Sequence, residues 1–463
     1  MIDNETFSLL KEIDKREGMQ SLSLIPKRFV LSGFQTYTLA MAWVLKKCVI
    51  SLDTGLGKTI VAGSIINLDT TEKRWLFVCK NSNLIQNASK LQCVIVDRPI
   101  QYCTGQMETI INLIKSCVNN SVLIITYDTL NNVQFLEFLF KIRKSFSGII
   151  VDESHNIGNK GSNRSEFTKH IMKTCFEYQY FLTATPLSVD PIQIINQVSM
   201  LDPDLIPDPE IVALHHTIYD NGKIVGYRSL DKLARFIMFR YISFTRDELG
   251  MKGNYHTKLC LCNCTCEDTG KSPRNITQLR ECKSIYSNPC ITKLIDIING
   301  YYLEGKRGLV YANLHVYKDT LYDCLKNLYR VTILDGRVSQ QDKMQIQQDY
   351  NEGKYDILIS NLEEGVDLPS DFIVFYELTV KYKQFIGRGE RGLSGRDLDI
   401  YFILIDKSYE IDFFYNNIYK RSLLLETICG KDISEIKEIE MQLRGSLNPL
   451  DLEDLDLIDS YNK

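Results

Sequence analysis

The chain has 463 residues, of which 44% are hydrophobic and 24% charged, and a formal net charge of −4. That length exceeds one ordinary core and predicts two or more domains, while the composition excludes a disordered or collagen-like chain. A mildly acidic total neither predicts nor excludes a nucleic-acid partner, because a basic groove can sit on an acidic protein.

The first twenty residues are polar and lack the apolar core of a signal peptide. No run of 18 apolar residues follows, so no membrane partner is expected. The 14 cysteines are then expected to be reduced thiols in a cytoplasmic protein.

Short, β-branched apolar runs recur at 49–52, 75–79, 122–127, 148–151 and 180–183, each followed by a loop and a helix-like stretch. A second series occupies 308–311, 331–334, 357–360, 372–377 and 400–405. Near-continuous apolar strands separated by helices predict parallel sheets covered on both faces, here in two α/β domains. In the stretch 333–360, Ser339 reads as a helix N-cap with Asp342 three residues on. The expected organisation is an N-terminal domain over 1–190, a connecting region over 191–290, a C-terminal domain over 291–430 and a tail over 431–463. Within the connecting region "DPDLIPDPE" (202–210) reads as an exposed turn, and the acidic residues 447–463 read as a solvated tail.

The segment "VISLDTGLGKTIVAG" (49–63) joins a strand to a helix through a glycine-rich turn. Gly55 and Gly57 let backbone N–H groups face a phosphate. Lys58 can reach β- and γ-phosphates, Thr59 can place its hydroxyl on Mg²⁺, and the helix N-terminus favours the anion. The common P-loop pattern G-x-x-x-x-G-K-[ST] would need glycine where Leu52 stands. In "GIIVDESH", Asp152 and Glu153 end a buried strand. A carboxylate there, in the same sheet as a P-loop, suits Asp152 to Mg²⁺ and Glu153 to polarising a water. An acidic pair after a strand is otherwise often only a helix cap.

Taken in order, "LDTGLGKT", "VDESH" and "LTATP" resemble motifs I, II and III of superfamily 2 helicases and translocases, a family whose motif I does not require glycine at position 52. "NLEEGVDLP" (361–369) resembles motif V, "QFIGRGER" (384–391) motif VI, and "FQTYT" around Gln35 the adenine-reading Q-motif. The resemblance implies two tandem RecA-like domains with a nucleotide cleft between them, and ATP and Mg²⁺ as cofactors. It implies that Arg388 and Arg391 act as arginine fingers. His155, Thr183, Thr185 and Gln384 would couple the γ-phosphate to the motor, and Gly365 and Asp367 would line the cleft.

"DTGLGKT", "DESHNIGNKGS" and "YRSLDKLARFIMFRYISFTRDELG" are similar to Swi/Snf-type translocases, whereas "EEGVDLPSDF" is closer to the Hef/FANCM-type branch. The family implies a nucleic-acid track held through phosphates, with Asn81, Ser82, Thr126 and Asn313 as contacts. Each of these four also reads as a strand-end cap. The expectation is a monomeric DNA helicase or translocase on double-stranded or branched DNA, in replication, repair or recombination. It would sit in the cytoplasm at the nucleoid, or in a nucleus or viral factory. An ATP-switched clamp, or a motor serving a nuclease partner as in restriction systems, are the alternatives.

Cys260, Cys262, Cys264 and Cys266 alternate strictly in "LCLCNCTCED". This spacing fits zinc poorly and predicts one apolar face of a strand.

Overall fold

The computed structural model describes residues 31–158, 176–186, 191–220, 223–251, 253–266, 269–361, 367–390 and 397–446. The chain divides into two compact units, Met1–Thr245 with Thr427–Gly430, and Arg246–Glu426 with Lys431–Lys463. The stretch 191–290 is thus shared between them, with the division at Thr245/Arg246. The acidic residues 447–463 lie outside the described residues. No helix among the described residues is long and apolar enough to cross a membrane.

The first unit is built on seven strands: β1 (Lys47–Leu52), β2 (Arg74–Cys79), β3 (Ile100–Tyr102), β4 (Val122–Thr126), β5 (Phe146–Asp152), β6 (Tyr178–Thr183) and, after a separate antiparallel hairpin of β7 (Thr217–Asp220) and β8 (Lys223–Tyr227), β9 (Tyr241–Phe244). The sheet order is β3-β4-β2-β5-β6-β1-β9, and every neighbouring pair is parallel. β2, β4 and β5 are buried along their whole length, which is why they read as unbroken apolar runs. A Cβ on Gly148 of β5 would come within 2.4 Å of the Trp75 ring on β2, so the indole takes the room that glycine leaves. The helices that matter below are α1 (Gly33–Leu45), α2 (Lys58–Leu68), α3 (Leu84–Val94), the single turn α4 (Tyr127–Leu130) and α5 (Ile192–Leu201). After α5, the stretch 202–210 is mostly turn, and Asp208 caps the helix that follows it by accepting from Glu210 and Ile211 N–H.

In the second unit β10 (Asn254–Cys262), β11 (Gly308–Tyr311), β12 (Val331–Leu334), β13 (Ile357–Ser360), β14 (Phe372–Phe375) and β15 (Asp397–Ile405) form a parallel sheet, ordered β10-β15-β14-β11-β13-β12. Its helices are α6 (Ile276–Ser284), α7 (Pro289–Tyr302), α8 (His315–Leu325), α9 (Gln340–Asn351), α10 (Tyr382–Gly389) and α11 (Ser434–Ser446). Ser339 caps α9 through its side chain, accepting from the Asp342 N–H. Two apolar clusters, one on each face of the sheet, hold this unit together. Each sheet therefore presents its strand ends and βα loops at one edge, where open α/β folds bind ligands. Both units are RecA-like α/β domains.

Cys260 and Cys262 lie in β10, but the strand ends there, so Cys264 and Cys266 follow it instead of extending one strand face as expected. Cys266 Sγ lies 3.5 Å from Cys282 Sγ and Cys264 Sγ 3.9 Å from Cys290 Sγ, inside one of the two apolar clusters. Among the described residues no group of three or more His, Cys, Asp or Glu side chains is arranged to hold a metal ion.

Candidate active site

β1 delivers the chain into the loop at its carboxyl end, with Leu52 fully buried. That position belongs to the core of the sheet, so a side chain there does not intrude on the loop. Gly55 and Gly57 have φ of 88° and 82°, left-handed values that only glycine adopts without strain. A Cβ on Gly57 would come within 2.6 Å of the Gln35 amide nitrogen. That nitrogen donates to the Leu56 carbonyl at 3.0 Å, while Gln35 Oε1 accepts from Ser32 N at 3.1 Å. Gln35, on α1, therefore braces the loop. The Lys58 ammonium donates to the Leu52 carbonyl at 3.0 Å, and Thr59 is half-buried in the first turn of α2.

β5 carries Asp152 to the same edge. Asp152 Oδ2 accepts from Asn87 Nδ2 at 3.0 Å, with both groups buried. Glu153 follows in the left-handed region, φ 52° and ψ 49°, a strained backbone for a residue with a Cβ. Its carbonyl accepts from Asn156 Nδ2 at 2.6 Å and from the Tyr127 hydroxyl at 3.2 Å. Its side chain points inward, and Glu153 Oε2 is buried without a hydrogen-bond partner among the described residues. His155 Nδ1 stands 3.3 Å from that oxygen and 3.4 Å from Thr183 Oγ1. Thr183 Oγ1 also accepts from the Thr185 amide at 3.0 Å. Behind them, Ser154 Oγ donates to Gln197 on α5 at 2.7 Å, and Gln197 Nε2 donates to the Pro186 carbonyl at 2.7 Å. Residues 152–155 and 183–186 thus form one bonded block.

Burial by itself raises the Glu153 carboxyl. Contact with His155, and the charges of His155, Lys58 and Lys80, outweigh it and hold the group well below the usual carboxylate range. Glu153 is ionised at neutral pH and a weak proton acceptor, suited to orienting and polarising a water rather than storing its proton.

In the second unit, Arg388 on α10 is buried and meets Asp367 Oδ1 at 3.4 Å. The backbones run alongside each other: Leu368 N donates to the Arg388 carbonyl at 3.0 Å and Ser370 N to the Gly389 carbonyl at 2.9 Å. Gln384 is buried on α10. Gly365 and Arg391 lie outside the described residues.

The four expected nucleic-acid contacts differ in their surroundings. Asn81 and Ser82 are exposed in a turn after β2, with Ser82 Oγ donating to Asn83. Thr126 is buried and caps α4, its hydroxyl accepting from Thr129 N at 3.2 Å. Asn313 is exposed, but its amide and that of Leu314 donate to the Glu377 carboxylate at 2.7 and 3.1 Å. Burial raises the Glu377 carboxyl, and these two amides oppose that rise.

Asn87, Tyr127, Gln197 and Glu377 bond to candidate site segments, and the motifs do not name them. A signal existed for Asn87. It falls on the Leu84–Ala88–Leu91 stripe of α3, where a polar side chain needs a buried partner.

The sequence matches two family descriptions. Residues 35–188 match the type III restriction enzyme, res subunit, and residues 290–392 the helicase conserved C-terminal domain. Together these matches support a superfamily 2 helicase-type ATPase. One similar solved structure is the SWI2/SNF2 ATPase core of Sulfolobus solfataricus in complex with dsDNA, at 14% identity and a TM-score of 0.44, covering 90% of this chain and 97% of that one. No curated protein matches the sequence.

A helicase-type ATPase needs a nucleotide and a divalent cation, and the residues present fit both. The Gly57 turn is a cradle that a Cβ would fill, and Glu153 is a buried carboxylate whose Oε2 is met by His155. Thr59 and Asp152 are the residues that would hold Mg²⁺.

Proposed function

We propose that the chain is a DNA translocase or helicase that couples ATP hydrolysis in its first unit to movement along double-stranded or branched DNA, in replication, repair or recombination. The observation that carries the reading is the buried Glu153 carboxylate, next to Asp152 at the end of β5, in contact with His155 and within the field of Lys58. Lys58 binds the β- and γ-phosphates, exchanging its Leu52 carbonyl for them. Asp152, held by Asn87, and Thr59 present oxygens to Mg²⁺, which when bound offsets phosphate charge. Glu153 orients the attacking water. Arg388 and Arg391 supply positive charge to the transition state, a contribution of about 10³–10⁵ in rate. His155, Thr183 and Thr185, bonded in series, carry the state of the γ-phosphate away from the site.

Support for DNA comes from the likeness of motifs I to III to double-stranded DNA translocases. Backbone tracking then predicts weak sequence preference and strong salt dependence. The test is ATPase activity of the full chain with Mg²⁺ and double-stranded DNA, single-stranded DNA or RNA. Stimulation by double-stranded DNA, lost in Lys58→Ala, is the expected result; no stimulation by any nucleic acid overturns the motor.

A second reading is a motor subunit serving a nuclease partner. The match of residues 35–188 to a restriction-enzyme subunit favours it. Co-purification of a nuclease, with DNA cleavage dependent on ATP, would select this reading.

A further inference from the structure

The left-handed turn at Glu153 needs something to hold it. Successive carbonyls of an extended strand point in opposite directions. Here the carbonyls of Asp152 and Glu153 converge on one hydroxyl, that of Tyr127. Tyr127 is buried, and it reaches the end of β5 from beyond β4, with β2 lying between those two strands in the sheet. Its position is set locally, because it is the first residue of α4, the turn capped by Thr126.

A phenol has one proton, so the hydroxyl donates to the two carbonyls in a shared bond. The Glu153 carbonyl also accepts from Asn156 N and Nδ2. Without the hydroxyl, the peptide between Asp152 and Glu153 loses the one donor its two carbonyls share, which favours rotation toward the ordinary extended conformation. That rotation re-aims the Glu153 side chain while leaving the glycine turn and Lys58 where they are.

We propose that Tyr127 is a positioning residue for hydrolysis: its hydroxyl fixes the turn that aims Glu153, and it ties the segment after β4 to that turn. The inference rests on Glu153 being the residue that orients the attacking water. It also gives the Thr126 segment a physical link to the chemistry, since a shift of α4 moves the donor on which the turn depends.

The experiment uses the full chain with Tyr127→Phe, which keeps the ring and removes only the hydroxyl. Turnover at saturating ATP should fall about tenfold or more, because a small misplacement of a reacting group has large effects. KM for ATP and affinity for a fluorescent ADP analogue should stay within about twofold of wild type. The decisive arm repeats Tyr127→Phe in a Glu153→Gln background. A residue acting through Glu153 should lower the residual rate there by less than about twofold. Asn156→Ala, which removes the other side-chain donor to the same turn, should give the same split between turnover and KM.

An unchanged turnover in Tyr127→Phe overturns the inference. So does an equal loss in both backgrounds, or a loss of nucleotide affinity in step with turnover, since either marks a general structural role. If Glu153→Gln itself leaves hydrolysis unchanged, the assignment of Glu153 fails and the inference falls with it. If Glu153→Gln abolishes hydrolysis while Tyr127→Phe matches wild type, only the inference fails.

Discussion

Asn87 donates its side-chain amide to Asp152 at 3.0 Å, and neither group is exposed to solvent. A hydrogen bond to a charged group contributes on the order of 1.5–3 kcal/mol when it is buried. In the proposed site this bond orients the carboxylate that would hold the cation. Asn87→Leu should therefore raise the Mg²⁺ concentration for half-maximal ATPase by about tenfold, with a smaller change in maximal rate. A Mg²⁺ titration at fixed ATP reads this directly, and an unchanged midpoint would show the bond to be structural only.

Lys58 bonds to a backbone carbonyl at the end of β1, and that carbonyl belongs to a strand already buried. Removing the side chain should leave the sheet intact. Lys58→Ala is expected to lower turnover by about 10² or more while shifting the melting temperature by no more than about 2 °C. Parallel ATPase and thermal-unfolding measurements check both halves.

In the second unit, Lys318 and Asp335 are both fully buried and 2.6 Å apart, with Arg337 2.9 Å from the same carboxylate and His315 at 3.5 Å. Burial raises the Asp335 carboxyl, but the bonds from Arg337 and Lys318 hold it well below the usual range. A carboxyl depressed in the folded state adds stability that is present above its unfolded value of about 3.9 and disappears as pH falls toward the folded value. Urea unfolding should accordingly show wild-type stability falling below about pH 4. Asp335→Asn should be about 3–5 kcal/mol less stable at neutral pH, since it strands a buried ammonium. It should also lack Asp335's share of the acid loss.

The cysteine cluster predicts the behaviour of a core. Purified protein should carry well under one equivalent of zinc, and its unfolding midpoint should not respond to EDTA. Cys264→Ala should destabilise by about 1 kcal/mol, the effect of deleting a small buried group. One bound zinc per chain, lost together with stability on chelation, would reverse the assignment.

Arg388 is paired with Asp367 and sits among buried residues of α10. Arg388→Ala should lower turnover by about 10³ while sparing affinity for ADP, the pattern of a group that acts on the transition state. Equal losses in both would place it in nucleotide binding instead.

Both sheets were legible where strands are covered on two faces. β2, β4, β5, β11 and β14 announce themselves as unbroken apolar runs because no residue in them meets water. The outer strands β3 and β9 fall outside the apolar series, since an edge strand is only partly covered and need not be apolar throughout. At the candidate site, the grouping of Asp152, Glu153, His155, Thr183 and Thr185 at the strand ends was readable because the motifs are short segments of fixed residue type and spacing. Asn87, Tyr127 and Glu377 were not, because each acts on a partner far along the chain, 65, 25 and 64 residues away in the bonds described. Only the crossing of strands in a sheet brings such pairs together. Gln35 lay between these cases: its position near the loop was readable, while its bond to the Leu56 carbonyl needed the turn of α1 to be known.

The left-handed backbone at Glu153 has a consequence for how this chain can vary. Glycine would adopt that conformation without strain, and asparagine with less strain than glutamate. Either substitution would relax the backbone while removing the carboxylate that the proposed chemistry needs. Selection for a sturdier fold and selection for turnover therefore pull in opposite directions at this one position. A hyperstable variant recovered from a screen for thermal resistance alone should be an inactive one whenever its change falls here.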